Sequence, residues 1–429
     1  MRVLFLASYF PRPEQPLIGT WALEQARALA HCCDLRVACC VPYIPSVLGI
    51  VGKARPWIRV PREHTWPKPA AGSAGGMQSD VRVTYLKSLY YPVSVLKQRA
   101  FRNPGPQRAL MWASVRRRLL RLVDDFRPEV IYCHHTDVNG YLAARIRQLR
   151  QIPFAVTDHD FQEVTECATW PARRAFFEKV KREAGRSICV AKRMEEDTKR
   201  LFPQYPTTTV YNGINPLPSE IFGTPRPAEL QGRRVILSVG MFAPRKAFPL
   251  LVEAFKPVSE RHPEALLRII GDGTDRPAIE AAVATHKLEG KVTLLGLQPQ
   301  ARVFQEMAWS DVFALPSWNE PFATVYIEAM GAGLPVIAAS DGGIADVVKD
   351  GVHGLLVPPK RVDAVTAALE RLLSDEPARR EMGKNARAMV ENELMWSANA
   401  RRLCEIFGEI LEQQRTPQSS KDGVLSARA

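Results

Sequence analysis

The chain has 429 residues, 46% hydrophobic and 24% charged, with a formal net charge of +13. That length suits two or three domains with large cores, and the composition is that of a globular protein rather than a disordered or fibrous one. No run approaches the ~20 apolar residues needed to cross a bilayer, and eight cysteines without a C-x-x-C pattern point to reduced packing thiols rather than a disulfide framework or a zinc site.

The amino terminus, "MRVLFLASYFPRP", is too quickly broken by proline for a secretory signal, which predicts a cytoplasmic chain. Within it "RVLFLAS" (2–8) is a short apolar strand run. "GTWALEQARALA" (19–30) has helical periodicity, and "DLRVACCV" (34–41) is a second strand. This β-loop-α-β order opens a Rossmann-type half. Residues 42–80 are rich in Pro and Gly, and "KPAAGSAGG" (68–76) predicts a flexible insertion.

From Val81 to Val123 there is no Asp or Glu. Ten cations fall between 82 and 121: Arg82, Lys87, Lys97, Arg99, Arg102, Arg108, Arg116, Arg117, Arg118 and Arg121. Met111, Val115, Leu119 and Leu122 repeat at helical spacing among them. Two readings stand: a basic amphipathic surface for anionic lipid or acidic substrate, or a packed helix with a solvated basic face. No helix-turn-helix, finger or RNP pattern accompanies the charge, so nucleic acid is not expected as a partner.

Strand runs follow at "EVIYCHH" (129–135), "IPFAVTDHD" (152–160) and "SICVAK" (187–192), with the helical "GYLAARIRQLR" among them. A second series begins after "PLPSEIFGTPRPAELQG": "RRVILSVG" (233–240), "ALLRIIGDG" (265–273), "KVTLLG" (291–296), "DVFALPS" (311–317) and "LPVIAAS" (334–340), again alternating with helices. Such alternation predicts parallel sheets covered on both faces. Two series predict two doubly wound α/β domains, 1–212 and 213–396, joined near Asn212–Leu217 and facing each other across a ligand cleft. The polar composition from Thr416 predicts a disordered tail over 416–429.

Chemistry concentrates in the second domain's loops. Arg245 and Lys246 lie just beyond a strand's carboxyl end, where a guanidinium fork and an ammonium suit a diphosphate; two solvated loop charges are the alternative. "GDGTDRP" (271–277) follows the next strand, and its glycines would let the backbone approach a ligand closely. In "PSWNEPFATVYIEAM" Pro321 favours a helix start near Phe322 or Ala323. Glu320 then falls in the loop, Glu328 within the second turn, and the free amides of Ala323, Thr324 and Val325 form an anion site between them. Carboxylates beside an anion site fit hydroxyl groups flanking a phosphate; alternatively each is an ordinary solvated helix charge.

The ordered set of Arg-Lys, GDG, Pro-Ser-x-x-Glu-x7-Glu and "GAGLPVIAASDGG" resembles the retaining glycosyltransferases of family four, which have the GT-B fold. The resemblance implies two Rossmann-like domains across a cleft, and a terminal helix at 397–415 crossing back to an amino-terminal acceptor-binding domain. It implies that Arg245 and Lys246 bind the donor diphosphate in place of a metal, that Glu328 contacts the ribose, and that Glu320 lies at the donor sugar. Gly19, Gly240, Gly271, Phe322, Ala323, Thr324 and Val325 complete the implied donor site. "FAVTDHD" resembles the strand end presenting an active-site histidine, here His159, while His134, His135 and Asn139 are candidates for the acceptor pocket. "YNGINP" (211–216) looks like the family's interdomain segment.

Two departures stand out: Ala247 where Gly commonly follows the Arg-Lys pair, and a single Gly19 in place of a Gly-Gly pair. The expectation is metal-independent transfer of a hexosyl group, with retention, from a nucleoside diphosphate sugar to a saccharide or lipid-linked saccharide in surface polysaccharide or glycolipid synthesis. No further cofactor is expected, and the basic segment suggests peripheral placement at the inner membrane face. A nucleotide-sugar epimerase, a phosphorylase and a non-catalytic membrane-associated binding protein are the alternatives.

Overall fold

The computed structural model describes residues 1–16, 18–43, 61–67, 80–89 and 94–415. The glycine-rich 68–76 stretch and the polar tail from Thr416 lie outside the described residues. The first sheet contains β1 (Arg2–Ala7), β2 (Asp34–Tyr43), β3 (Glu63–Trp66), β4 (Val81–Leu89), β5 (Val130–His134), β6 (Phe154–Asp158), β7 (Arg186–Cys189) and β8 (Thr207–Thr209), in the order β3-β4-β2-β1-β5-β6-β7-β8. Only β3 runs antiparallel to its neighbour. The second sheet contains β9 (Arg234–Val239), β10 (Ala265–Ile270), β11 (Val292–Gly296), β12 (Val312–Leu315), β13 (Val336–Ala339) and β14 (Gly354–Val357), all parallel, in the order β11-β10-β9-β12-β13-β14.

Among the parallel strands each order reverses direction once. In the first sheet the reversal falls between β1 and β5, in the second between β9 and β12. Loops leaving the carboxyl ends of those strand pairs diverge to opposite faces, which opens a crevice for a ligand at each switch point. β5, β6 and β12 are buried along their whole length, as their unbroken apolar runs require when helices cover both faces.

The acid-free segment at 81–123 divides into parts with different structures. Val81, Val83 and Tyr85 point inward along β4, a period-2 pattern hidden in a stretch that charge alone would assign to one surface. The helix Gly105–Phe126 buries Met111, Trp112, Val115, Leu119 and Val123. These join Leu4, Leu6, Leu86 and Ile131 in one core on a face of the first sheet. The apolar stripe is therefore used inside the fold, and Arg116, Arg117, Arg118 and Arg121 stand in solvent. Arg108 does not belong to that exposed set: it is buried, with its Nε 2.8 Å from Asp137.

The terminal helix Trp396–Arg415 packs Trp396, Ala400, Leu403, Ile406, Phe407 and Ile410 into the other core of the first domain. The chain crosses between domains twice, and the two crossings pair. Ile214 N–H donates to Leu394 O at 2.9 Å, and Trp396 N–H to Ile214 O at 2.9 Å. A Cβ on Gly213 would stand 2.5 Å from Trp396 N, so only glycine allows the two backbones to meet. Beside this crossing, buried Asn399 donates through Nδ2 to Tyr211 O (2.7 Å) and accepts from Gln25 Nε2 (3.0 Å). Asn399→Leu leaves a buried carbonyl and a buried amide without partners, and should lower stability by about 1–3 kcal/mol. Chemical denaturation should show an earlier first unfolding transition; an unchanged midpoint would mean that the bond network carries no stability.

Candidate functional site

β9 and β12 flank the second sheet's switch point, and the loops leaving them carry the candidate charges. After β9 the segment Pro244–Lys246 forms one 3-10 turn. After β12, Trp318 N–H donates to Arg245 O at 3.0 Å, which ties the two loops together. This contact brings Glu320 onto the cations. Its carboxylate lies 2.7 Å from Lys246 Nζ and 3.1 Å from Arg245 Nη1. Glu320 and Lys246 are buried, while Arg245 is partly exposed. Burial, assisted by the Arg245 charge, pulls the Lys246 pKa below its ordinary value, and Glu320 opposes that fall. Two cations share one carboxylate, so this side of the crevice keeps an uncompensated positive charge.

The helix after this loop is Thr324–Gly331, with Ala323 at its N-cap, one or two residues later than Pro321 predicts. Among the described residues the amides of Thr324 and Val325 have no acceptor, so they remain available to an anion. Phe322 contributes only backbone here. Its side chain is buried against Tyr211, with ring centroids 5.5 Å apart. Glu328 is half-buried in the same helix; burial pushes its carboxyl up to about 7, with a hydrogen bond from Gln300 opposing.

The glycines behave differently from expectation. A Cβ on Gly271 would meet Gly240 O at 1.9 Å, and one on Gly273 would meet Phe242 O at 2.4 Å. The close backbone approach in "GDG" is thus to the neighbouring 240–242 loop, not to open ligand space. Gly19 likewise has φ 75°, with its Cβ position 2.7 Å from Tyr9 C; it serves the β1 loop and the N-cap of the helix Thr20–Ala30. At Gly240 a Cβ would meet Lys246 and Phe248 only at 3.5 Å or more, so crowding does not dictate glycine there.

At the first sheet's carboxyl edge, His159 follows β6 and packs among Trp21, His134 and His135, with centroids 4.6, 4.4 and 5.4 Å away. The Asn399 network fixes the protons here. Tyr211 O can only accept, so Asn399 Nδ2 donates and Asn399 Oδ1 accepts from Gln25 Nε2. Gln25 Oε1 must then accept from His134 Nε2, 2.9 Å away, which makes His134 the Nε2–H tautomer. Burial holds His134 and His159 neutral, with neighbouring histidines adding to the effect. Burial also opposes charge on His135, but Glu163, 2.8 Å from its Nδ1, outweighs this and raises its pKa. His134 and Asn139 are fully buried; Asn139 Nδ2 donates to Leu6 O, Ser8 Oγ and His134 O. Both side chains are thus held by protein groups inside the first domain.

Sequence reasoning did not single out Gln25, Asn399, Trp21 or Glu163, nor Arg193, Asp341 and Asp346 on the facing loops of the two domains. Polar residues at helix-interior positions carry no motif signal. The glycine pair in "SDGG" did carry one: a Cβ on Gly343 would stand 1.8 Å from Pro321 O, which marks that loop as packed against the Glu320 loop.

Residues 224–389 match the family described as glycosyl transferases group 1, and residues 76–216 match glycosyltransferase family 4. The chain is 30% identical over 316 residues to the D-inositol 3-phosphate glycosyltransferase of Corynebacterium diphtheriae, covering 66% of this chain and 71% of that one. It is 26% identical over 324 residues to the alpha-D-kanosaminyltransferase of Streptomyces kanamyceticus, covering 70% and 82%. Among solved structures, sucrose-phosphate synthase from Thermosynechococcus elongatus superposes with a TM-score of 0.73 at 20% identity, covering 96% of this chain and all of that one. Anabaena HepE in complex with UDP-glucose gives 0.65 at 16% identity, covering 95% and 100%. These likenesses identify the two-sheet architecture as GT-B.

Ala247 closes the cation loop at φ 57°, the left-handed conformation that its side chain disfavours. Left-handed backbone costs a non-glycine residue about 1–2 kcal/mol, against a gain of about 0.4–1 kcal/mol from a less flexible unfolded chain. Ala247→Gly should therefore raise stability by up to about 1 kcal/mol, seen as a higher melting temperature. A lower melting temperature would show that the turn is not strained.

Proposed function

Because the chain belongs to the family 4 glycosyltransferases of GT-B fold, we propose that it transfers a sugar, with retention and without a metal, from a nucleoside diphosphate sugar to a hydroxyl acceptor. The observation that carries this reading is the excess positive charge of Arg245 and Lys246 over Glu320 at the switch point, beside the unpaired amides of Thr324 and Val325. A diphosphate supplies the missing negative charge. As the bond to the sugar breaks, that group gains charge, and cations already in place stabilise it without reorganising. HepE was solved with UDP-glucose, and a nucleotide sugar of that kind suits this crevice.

Glu320 enters this mechanism as the group that holds the two cations together before the donor arrives. Once the diphosphate shares those cations, its carboxylate is free to accept a hydroxyl of the donor sugar. Glu328 accepts from the ribose. The acceptor hydroxyl approaches on the face from which the leaving group departs, and its proton passes to the departing diphosphate. His159, neutral and walled by Trp21 and His134, faces the acceptor side.

Calorimetric titration with UDP, GDP and ADP tests the donor site. Arg245→Ala and Lys246→Ala should each weaken the preferred nucleotide by about tenfold or more, as expected for loss of a charge-assisted bond. The pH profile tests Glu328. Burial pushes its carboxyl up to about 7, so protonation below that pH replaces a charged acceptor with a weaker neutral one, and affinity should fall by about tenfold in all as the pH drops. Glu328→Gln should flatten the profile. Equal binding by wild type and both cation variants would overturn the diphosphate assignment.

The acceptor is a saccharide, free or lipid-linked. Among the described residues Arg116, Arg117, Arg118 and Arg121 have no acidic partner, and each adds about 1 kcal/mol of attraction to an anionic bilayer. No helix among the described residues is long and apolar enough to cross a membrane; the contact proposed here is the electrostatic one made by these arginines. Vesicles rich in phosphatidylglycerol should float the protein at low salt but not at high salt, and replacing the four arginines with Ser should abolish flotation. Equal flotation by neutral vesicles would count against a basic lipid-facing surface.

A further inference from the structure

The helix Lys192–Leu201 starts on the first domain, directly after β7, with Ala191 as its N-cap. Alanine has no side-chain acceptor for the first free amides, and a first turn without one is costly. The acceptor comes from the other domain instead. Lys192 N–H donates to Asp346 Oδ2 at 2.6 Å, which also sets a carboxylate at the positive end of the helix. The next residue repeats the link: Arg193 Nη1 donates to Asp341 O at 2.5 Å, while its guanidinium lies over the Phe161 ring at 5.2 Å.

The loop bearing Asp341 and Asp346 is bonded equally firmly on its other side. Gly343 N–H donates to Glu320 O at 2.8 Å, and Asn319 N–H to Asp341 Oδ2 at 3.2 Å. Space at Gly343 is closed from both domains, since a Cβ there would meet Pro321 O at 1.8 Å and Ala191 Cβ at 2.7 Å. Apolar packing follows the same path, because Phe161, Ala191 and Met194 of the first domain join the second domain's core.

We propose that Asp346 and Arg193 are positioning residues: from opposite sides of the domain seam they clamp the 341–346 loop, which holds the backbone of Glu320 and so fixes its carboxylate against Lys246 and Arg245. The clamp makes the cation triad complete only when the first domain is docked, which couples donor activation to the presence of the acceptor-binding half. The role assigned to the triad rests on the sugar-transfer reading above; the clamp itself does not.

Hydrogen exchange on the full-length chain separates the two. In Asp346→Ala, the first-turn amides 192–195 and the 317–323 loop should both exchange about five- to tenfold faster, the scale of a lost N-cap, while peptides of β1 stay protected. Asp346→Asn still offers an oxygen to Lys192 N–H and should restore protection in both segments. Arg193→Ala should loosen the 317–323 loop in the same direction. With a donor that the wild type turns over, nucleotide release should lose kcat in Asp346→Ala and Arg193→Ala with KM nearly unchanged, and Asp346→Asn should recover. Faster exchange at 192–195 with an unaffected 317–323 loop overturns the clamp, as does an Asn variant as impaired as Ala. A wild type that releases no nucleotide from any donor overturns the transferase reading instead, and the exchange data still decide the clamp.

Discussion

The contact between Glu320 and the Lys246–Arg245 pair is the constraint around which the second domain's ligand edge is arranged. A buried lysine and a buried carboxylate each lose hydration, and neither would persist alone in that position. Side by side each offsets the other's cost of burial, and the partly exposed Arg245 adds a second cation to the same carboxylate. Each surrounding feature serves this arrangement. The turn at 244–247 adopts a strained left-handed residue to aim both cations at the crevice, and Trp318 N–H pins the facing loop to Arg245 O. The 240–242 and 271–273 loops leaving the neighbouring strands are zipped to each other by backbone bonds. In this arrangement the Glu320 carboxylate lies against both cations and offsets part of their charge.

The two domains are joined through the same centre. Glu320's carbonyl is held by Gly343, whose loop caps a helix of the first domain, and Phe322 stacks on Tyr211 at the interdomain crossing. Tyr211 O in turn orders Asn399, Gln25 and His134, so the tautomer of a histidine in the first domain is set by a backbone carbonyl at the crossing. The hydrogen-bond directions in that series follow from one group that can only accept. This is a contiguous physical connection between the edges of the two sheets.

Much of this was legible in the sequence because strands buried on both faces cannot disguise themselves. Runs such as "RVLFLAS", "RRVILSVG" and "LPVIAAS" gave the two-domain α/β plan, and charges placed just past strand ends gave Arg245, Lys246 and Glu320. β4 was hidden because an acid-free stretch invites attention to charge, while Val81, Val83 and Tyr85 alternate for burial. β8 is only three residues long, too short for any period to register. Phe322 and Gly271 were assigned to the ligand on local pattern, but their surroundings are protein. Nothing within a few residues of either announces Tyr211 or Gly240 O as the neighbour.

The first domain's histidines show why position on a strand end is weaker information than charge. His134, His135 and His159 all follow strands toward the same edge, yet their environments divide them. His134 stacks on Trp21 and bonds through Nε2 to Gln25, and His135 is paired through Nδ1 with Glu163; His134 Nδ1, His135 Nε2 and His159 Nε2 each remain buried without a hydrogen-bond partner among the described residues. Glu163 favours the protonated form of His135, whereas burial favours the neutral form of His134 and His159. Of the three, His159 is the one that is both held neutral and partly exposed, whereas His134 and His135 are buried.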